Sequence, residues 1–365
     1  MHTRNFVCAG TAALLAILSG ISFAAETETE EKKDKALRIV PLLTSTPLTG
    51  TGLGAAASYI YKVDDSDASR SQLQIGAQYS DTESLTTFLR NDTFHKDNAI
   101  IGNGLLTWTD INSEFDGSDG RRVEYNIQSF TLRQKFLFEV RDALYLGGLA
   151  VYRKIDYSPN NDAGDDFLFD NGIVDEEGVG VGIAGSYDTR VNKYYPRDAW
   201  WVDVEAEAFP DEFGADDTFY KLTLNTRYYR GGFAPGDVWA SQLYGQYASS
   251  KTPDSALPTL SGKSLLRGYP AGQFRARYLS GFQTEYRYQI VDTSFRLIGF
   301  AGIAELAGGS YGQGERERDD DGTYWAAGVG ARYAIQSRTG VDLRLDWAYT
   351  SESEDAIYLA LNQAF

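Results

Sequence analysis

The sequence predicts an all-β chain: a 16-stranded antiparallel transmembrane β-barrel of the outer-membrane type. Three observations predict it. Apolar and polar residues alternate with a period of two along much of the chain, the mark of strands with two different faces. Connections alternate between short turns and long acidic stretches, which assigns them to opposite rims of one barrel. The composition is rich in aromatics (13%, with 24 Tyr) and in Gly (37 residues), and no long capped helix pattern appears.

Taken in order, the chain opens with MHTRN and the apolar run FVCAGTAALLAILSGISF, followed by the small-x-small site Ser22-Phe23-Ala24. This reads as a secretory signal peptide, residues 1–24, too short and wrongly flanked for a membrane helix. Cleavage after Ala25 is the alternative, with Phe23 then where a small residue is preferred. Residues 25–37 begin AETETEEKKDKA, a charged and solvated lead-in. The barrel is expected over 38–365, with strands beginning near 38, 52, 71, 84, 99, 127, 143, 178, 199, 218, 237, 278, 295, 323, 341 and 355.

Alternation alone also suits a soluble β-sandwich, so the connections and faces decide. HKDN, VRDA, GGFAPGD and IQSRTG are short links after even strands. INSEFDGSDGRRVEYN, YSPNNDAGDDFLFDNGIVDEEG and the stretch 249–277 are long links after odd ones, while the first odd link, near Leu48-Thr49-Gly50, is short. Phe130, Leu132, Phe136 and Phe138 share a face fit for lipid, as do Phe282, Tyr286, Tyr288 and Ile290. The opposite faces carry both signs of charge, including Arg133, Lys135, Glu205, Glu285, Arg287, Arg332 and Asp346. Lys or Arg facing lipid at mid-bilayer costs about 2–4 kcal/mol, so this face is expected to line a lumen.

Several chemistries are disfavoured. The only cysteine, Cys8, lies within the expected signal, so the mature chain holds no thiol for a disulfide or a thiolate metal site. Loss of Arg4 with the signal leaves 51 acidic against 33 basic residues, −18, and no charge to draw in nucleic acid. His95 is the single histidine after the signal and sits in a turn with no serine–acid partner pattern around it, so no enzyme activity and no cofactor are expected. Asp162, Asp165, Asp166 and Asp170, and Asp319, Asp320 and Asp321, lack calcium-loop spacing and read as solvated rim loops. Bridging to lipopolysaccharide through divalent ions is the lesser reading of them, and no metal site is expected.

One stretch needs a further account: SLLRGYPAGQFRARYLSGFQTEYRYQI, residues 264–290, sets a cationic turn just before a strand with Glu285 and Arg287 on one face. Leu266-Arg267-Gly268-Tyr269 followed by that strand resembles the BamA/TamA superfamily of outer-membrane proteins. Pro47 to Gly54, Tyr187-Asp188-Thr189-Arg190 and Gly328-Val329-Gly330-Ala331-Arg332 add to the likeness, which covers about 38–365. The resemblance implies that the loop between strands eleven and twelve folds back into the lumen. Arg267 is then expected to meet an acid on strand thirteen, matched here by Glu305, with Glu285 as a second partner. A buried arginine needs such an anion. Gly268 permits the turn and Tyr269 packs on the inner wall. Arg287 and Arg332 are expected in the lumen. The superfamily's periplasmic POTRA domains have no counterpart in this length, so a POTRA-less member is expected.

The superfamily's lateral seam joins the first and last strands, here Pro41, Pro47 and the terminal Phe365. Proline removes a ladder donor, which suggests a weak seam; equally, Pro41 and Pro47 suit the ends of a strand and a turn. The functions expected are assistance to protein or lipid insertion or translocation at the outer membrane, a passive uptake pore, or a surface antigen or partner anchor. The partners expected are outer-membrane lipid, lipopolysaccharide and outer-membrane or secreted protein substrates.

Overall fold

A computed structural model of the chain describes residues 36–365 apart from 47–49, 117–119, 171, 194, 262–264, 270–271, 310–319, 337–340 and 362–364. The expected signal 1–24, residues 25–35 of the lead-in, Pro47 and Asp319 lie outside the described residues. Sixteen strands form one closed barrel in which each pairs antiparallel with its neighbour in sequence and the first meets the last.

In order these are β1 (Ala36–Thr46), β2 (Gly50–Tyr61), β3 (Ser71–Ser80), β4 (Leu85–His95), β5 (Ile100–Asp116) and β6 (Arg122–Arg141). Then follow β7 (Leu144–Pro159), the short helix α1 (Asp162–Asp170), β8 (Glu176–Asp188), β9 (Ala199–Phe209), β10 (Phe219–Gly231) and β11 (Val238–Ala248). The last five are β12 (Tyr278–Gln289), β13 (Phe295–Ala307), β14 (Gly322–Gln336), β15 (Val341–Thr350) and β16 (Asp355–Leu361). No described helix is long and apolar enough to cross a membrane, so any crossing is made by strands.

Alternation sorts the faces. Leu132, Phe136, Phe138, Phe282, Trp325 and Trp347 point outward and are exposed, while Lys135, Glu285, Arg287, Arg332 and Asp346 are buried inside. A large apolar outer surface of this kind suits a bilayer. The period of two thus gives each strand a lipid side and a lumen side without any long apolar run.

Two sequence expectations about connections change. The stretch 112–126 is largely strand: β5 and β6 continue their ladder to Asp116 and Arg122, carrying a long hairpin beyond the barrel wall. Asn112, Asn126 and Asp110 hydrogen-bond side by side there, which extends pairing through residues that read as loop. The acidic run from Asp162 to Asp170 is the helix α1 and lies against β6 and β7, with Leu168 buried beneath it.

Candidate functional site

The long connection between β11 and β12 turns back into the barrel. Its neck is a two-stranded crossing: Thr259 bridges Arg275, Leu260 N–H donates to the Phe274 carbonyl at 3.0 Å and Ala276 N–H to the Pro258 carbonyl at 3.2 Å. Beyond the neck, Leu260, Leu265, Leu266 and Tyr269 are buried against Leu279 on β12, Ala304 and Leu306 on β13, and Tyr324 and Ala326 on β14. Burying each leucine contributes roughly 1.5–3 kcal/mol, so apolar contact seats the loop.

Polar contacts then set its position. Arg267 is 2% exposed and donates to Glu285 at 2.8 Å and to Asp346 at 2.9 Å, with its guanidinium 3.4 Å from the centroid of Phe300. Glu285 also accepts from Arg287 at 2.6 Å. Asp346 also accepts from Arg332, and Arg344 approaches it at 3.6 Å. Four arginines therefore share two carboxylates, both fully enclosed. Gly330 stands opposite Asp346 in the ladder, and a Cβ there would lie 2.1 Å from Asp346 Oδ1, so its missing side chain makes room for the carboxylate.

The two residues after Arg267 reach the strands nearest the closing seam. Gly268 has φ +106°, a conformation open to glycine, and its N–H donates to the Tyr358 hydroxyl of β16 at 3.0 Å. The Tyr269 hydroxyl donates to the Trp325 carbonyl at 2.8 Å and lies 2.9 Å from the Ser351 hydroxyl. The Arg-Gly-Tyr tip thus ties β12, β14, β15 and β16 together from inside.

Glu305 corrects an expectation. It lies exposed on the outer face of β13, while its neighbours Ala304 and Leu306 face the loop. The alternation was sound, but its two sides were exchanged: here the lumen face is apolar because the loop's leucines fill the lumen. Asp346, one strand pair further on, takes the place given to Glu305. In sequence it showed only as one of two acids, with Asp342, on the polar face of β15.

Phe365 is a second correction. β16 ends at Leu361, and Phe365 is buried in the lumen with Tyr229, Val238 and Ala240 instead of lying in the seam. The Phe365 carbonyl accepts from Arg287 at 2.7 Å. Arg287 therefore joins the loop network to the chain's last residue.

At the seam itself, among the described residues, β1 and β16 pair at Leu43–Leu359, Thr44–Tyr358 and Ser45–Ile357. Two residues further the same register would set Pro41 opposite Leu361, and the ladder stops short of it. Pro41 has no N–H to donate. Its other neighbour is β2, where it stands opposite Ala55.

The barrel resembles solved structures. It matches BamA from Haemophilus ducreyi lacking POTRA domains 1–3 with a TM-score of 0.56 at 12% identity, over 90% of this chain and 70% of that one. CdiB from Acinetobacter baumannii matches with a TM-score of 0.59 at 10% identity, over 89% of this chain and 59% of that one. CdiB from Escherichia coli matches with 0.59 at 13%, over 89% and 62%. The chain thus spans less than two thirds of either CdiB. No protein-family profile and no curated protein sequence matches the chain. At these identities the likeness is one of fold: the chain has the 16-stranded barrel of BamA and CdiB.

Proposed function

We propose that this barrel sits in a bacterial outer membrane and assists the insertion or translocation of protein or lipid through its β1–β16 seam. The observation that carries the reading is the seam ladder, which among the described residues joins β1 and β16 at three pairs and not at Pro41, and which is braced from inside by a loop that bonds β16 through Tyr358. Among the described residues every other neighbouring pair in the barrel shares at least seven residue pairs, the shortest being β15 with β16. Backbone hydrogen bonds are each worth about 0.5–1.5 kcal/mol net, so a short ladder is the least costly place to part the wall. The partners on this reading are outer-membrane lipid, lipopolysaccharide and unfolded outer-membrane or secreted proteins.

The test is the folding of an added unfolded barrel protein in liposomes. Wild type is expected to speed it severalfold over empty vesicles. Leu43→Cys with Leu359→Cys places two thiols across the seam, and the only native cysteine, Cys8, lies in the expected signal. The oxidised pair is expected to abolish the acceleration and the reductant to restore it. A closed seam that works as well as wild type sinks the reading.

Arg267→Ala is expected to lower the acceleration by about tenfold while changing stability little. It leaves Arg287, Arg332 and Arg344 on the same two carboxylates, so no acid is stranded, yet the loop loses its charged tether. Equal acceleration by this variant would remove the loop from the mechanism.

A pore is the second reading, and one observation favours it: the loop's tip packs on the β12–β16 side and only its Ser255 stretch reaches β7 and β8, so the lumen is not filled. Cavities of about 550 and 420 Å³ remain against β3 to β11. Steady conductance from folded protein in planar bilayers, with no folding acceleration, would select it.

A further inference from the structure

The smaller of these cavities gathers cations inside a chain that is acidic overall. The protein carries −17 overall. Yet this chamber of about 420 Å³ is lined by Arg90, Arg133, Lys135, Arg190, Lys193 and Arg227 against Asp92, Asp188 and Asp203. It lies toward the rim of short turns, where the β8–β9 connection folds inward and brings Arg190 and Lys193 to its wall.

Pairing does not use up this positive charge. Arg90 pairs with Asp92 at 2.8 Å, and Arg133 and Lys135 both reach Glu205. Arg190 and Lys193 divide the one carboxylate of Asp188, at 2.8 and 2.9 Å. Among the described residues Arg227 has no carboxylate within 4 Å; its Nε donates to Asn225 at 3.3 Å. Arg190 and Arg227 both lie over Trp201, 3.4 and 4.3 Å from the ring centroid, which holds their planes in place. Asp203 lines the same wall without an ion pair among the described residues; with Glu205 and Glu207, which hold Arg133 and Lys135, six cations meet five carboxylates, and Arg227 is the cation that no carboxylate touches.

We propose that this chamber is a binding site for a small phosphate-class oxyanion. The Arg227 guanidinium, with no carboxylate partner among the described residues, stands beside Arg190 and Lys193, which share one, and such a group in a confined, partly desolvated space attracts an anion. Planar guanidinium forks match phosphate oxygens, and Asn103, Asn225 and Ser186 add hydrogen-bonding groups to the wall. The far end of the lumen argues for retention over passage. A pocket of about 250 Å³ near the long-connection rim is lined by Glu176, Glu177, Asp216 and Asp217 against Arg153 and Lys251, so acids outnumber cations there. The inference is independent of the seam reading.

Isothermal titration of the detergent-purified barrel with inorganic phosphate and with pyrophosphate, at constant ionic strength, tests it. Wild type is expected to show one saturable site that sodium chloride does not fill. Arg227→Gln is expected to weaken it tenfold or more, while Lys251→Gln at the rim stays within twofold of wild type. Both variants must keep the heat-modifiable gel mobility of the folded barrel; for a misfolded Arg227→Gln, Lys193→Gln is expected to give the same loss. Glycerol 3-phosphate separates the sources: tighter binding than inorganic phosphate indicates a headgroup-type ligand, weaker binding a free anion, and either supports the site. No saturable heat, or unchanged affinity in both Arg227→Gln and Lys193→Gln, overturns it.

Discussion

Asp346→Ala is expected to destabilise the barrel by about 3–5 kcal/mol, the scale for stranding a buried charge. Asp346 is fully buried and is the shared acceptor for Arg267 and Arg332, with Arg344 beside it. Its loss leaves Arg267, Arg287, Arg332 and Arg344 with Glu285 alone. Removing Arg267 instead leaves three cations on two acids, so the two ends of one ion pair are not equivalent. Urea-driven unfolding in micelles, followed by tryptophan fluorescence, measures the difference. A loss under about 1 kcal/mol for Asp346→Ala would mean that water, not Asp346, neutralises these arginines.

Gly268→Val is expected to unseat the loop while leaving the barrel closed. A Cβ at this position would lie 2.3 Å from Thr350 Cγ2, and Thr350 is fully buried. The backbone at φ +106° adds roughly 1–3 kcal/mol of strain for any residue but glycine. A β-branched side chain there is resisted twice, and the loop's way out is to leave its seat. Arg267 then leaves its carboxylates and becomes open to trypsin, against which its burial protects it in wild type. Limited proteolysis is expected to cut within 257–276 at least tenfold faster in the variant, with the folded gel mobility unchanged. A variant as resistant as wild type would show that the tip tolerates a side chain and that Gly268 is not what shapes it.

These two results probe what the sequence showed and what it hid. The strand starts near 71, 199, 278, 295, 341 and 355 stand where the alternation set them, because a period of two is a local property of neighbouring residues. The long connection 249–277 was legible from its length, and its inward Arg267-Gly268-Tyr269 tip from the superfamily resemblance that the motif carries. Glu285 was legible too, since it is close in sequence and on the face of β12 that a lipid would reject.

Contacts across the lumen were decided by the closed barrel. Alternation divides β13 into two faces, but it does not say which is inside; Leu265 and Leu266 make the inner face apolar, and so Glu305 lies outside and Asp346 receives Arg267. Phe365 escaped for a related reason: among the described residues pairing constrains β16 only to Leu361, and Phe365 meets Arg287 in the lumen. The cationic chamber arises from β4, β6, β10 and the β8–β9 connection meeting in space. Sequence patterning determined strand number, the division of strands into two faces and connection order, since these depend on residues two to ten apart. The Asp346 partner of Arg267, the place of Phe365 and the gathering of cations in the chamber follow from barrel closure, which brings together residues nearly 80 and more positions apart.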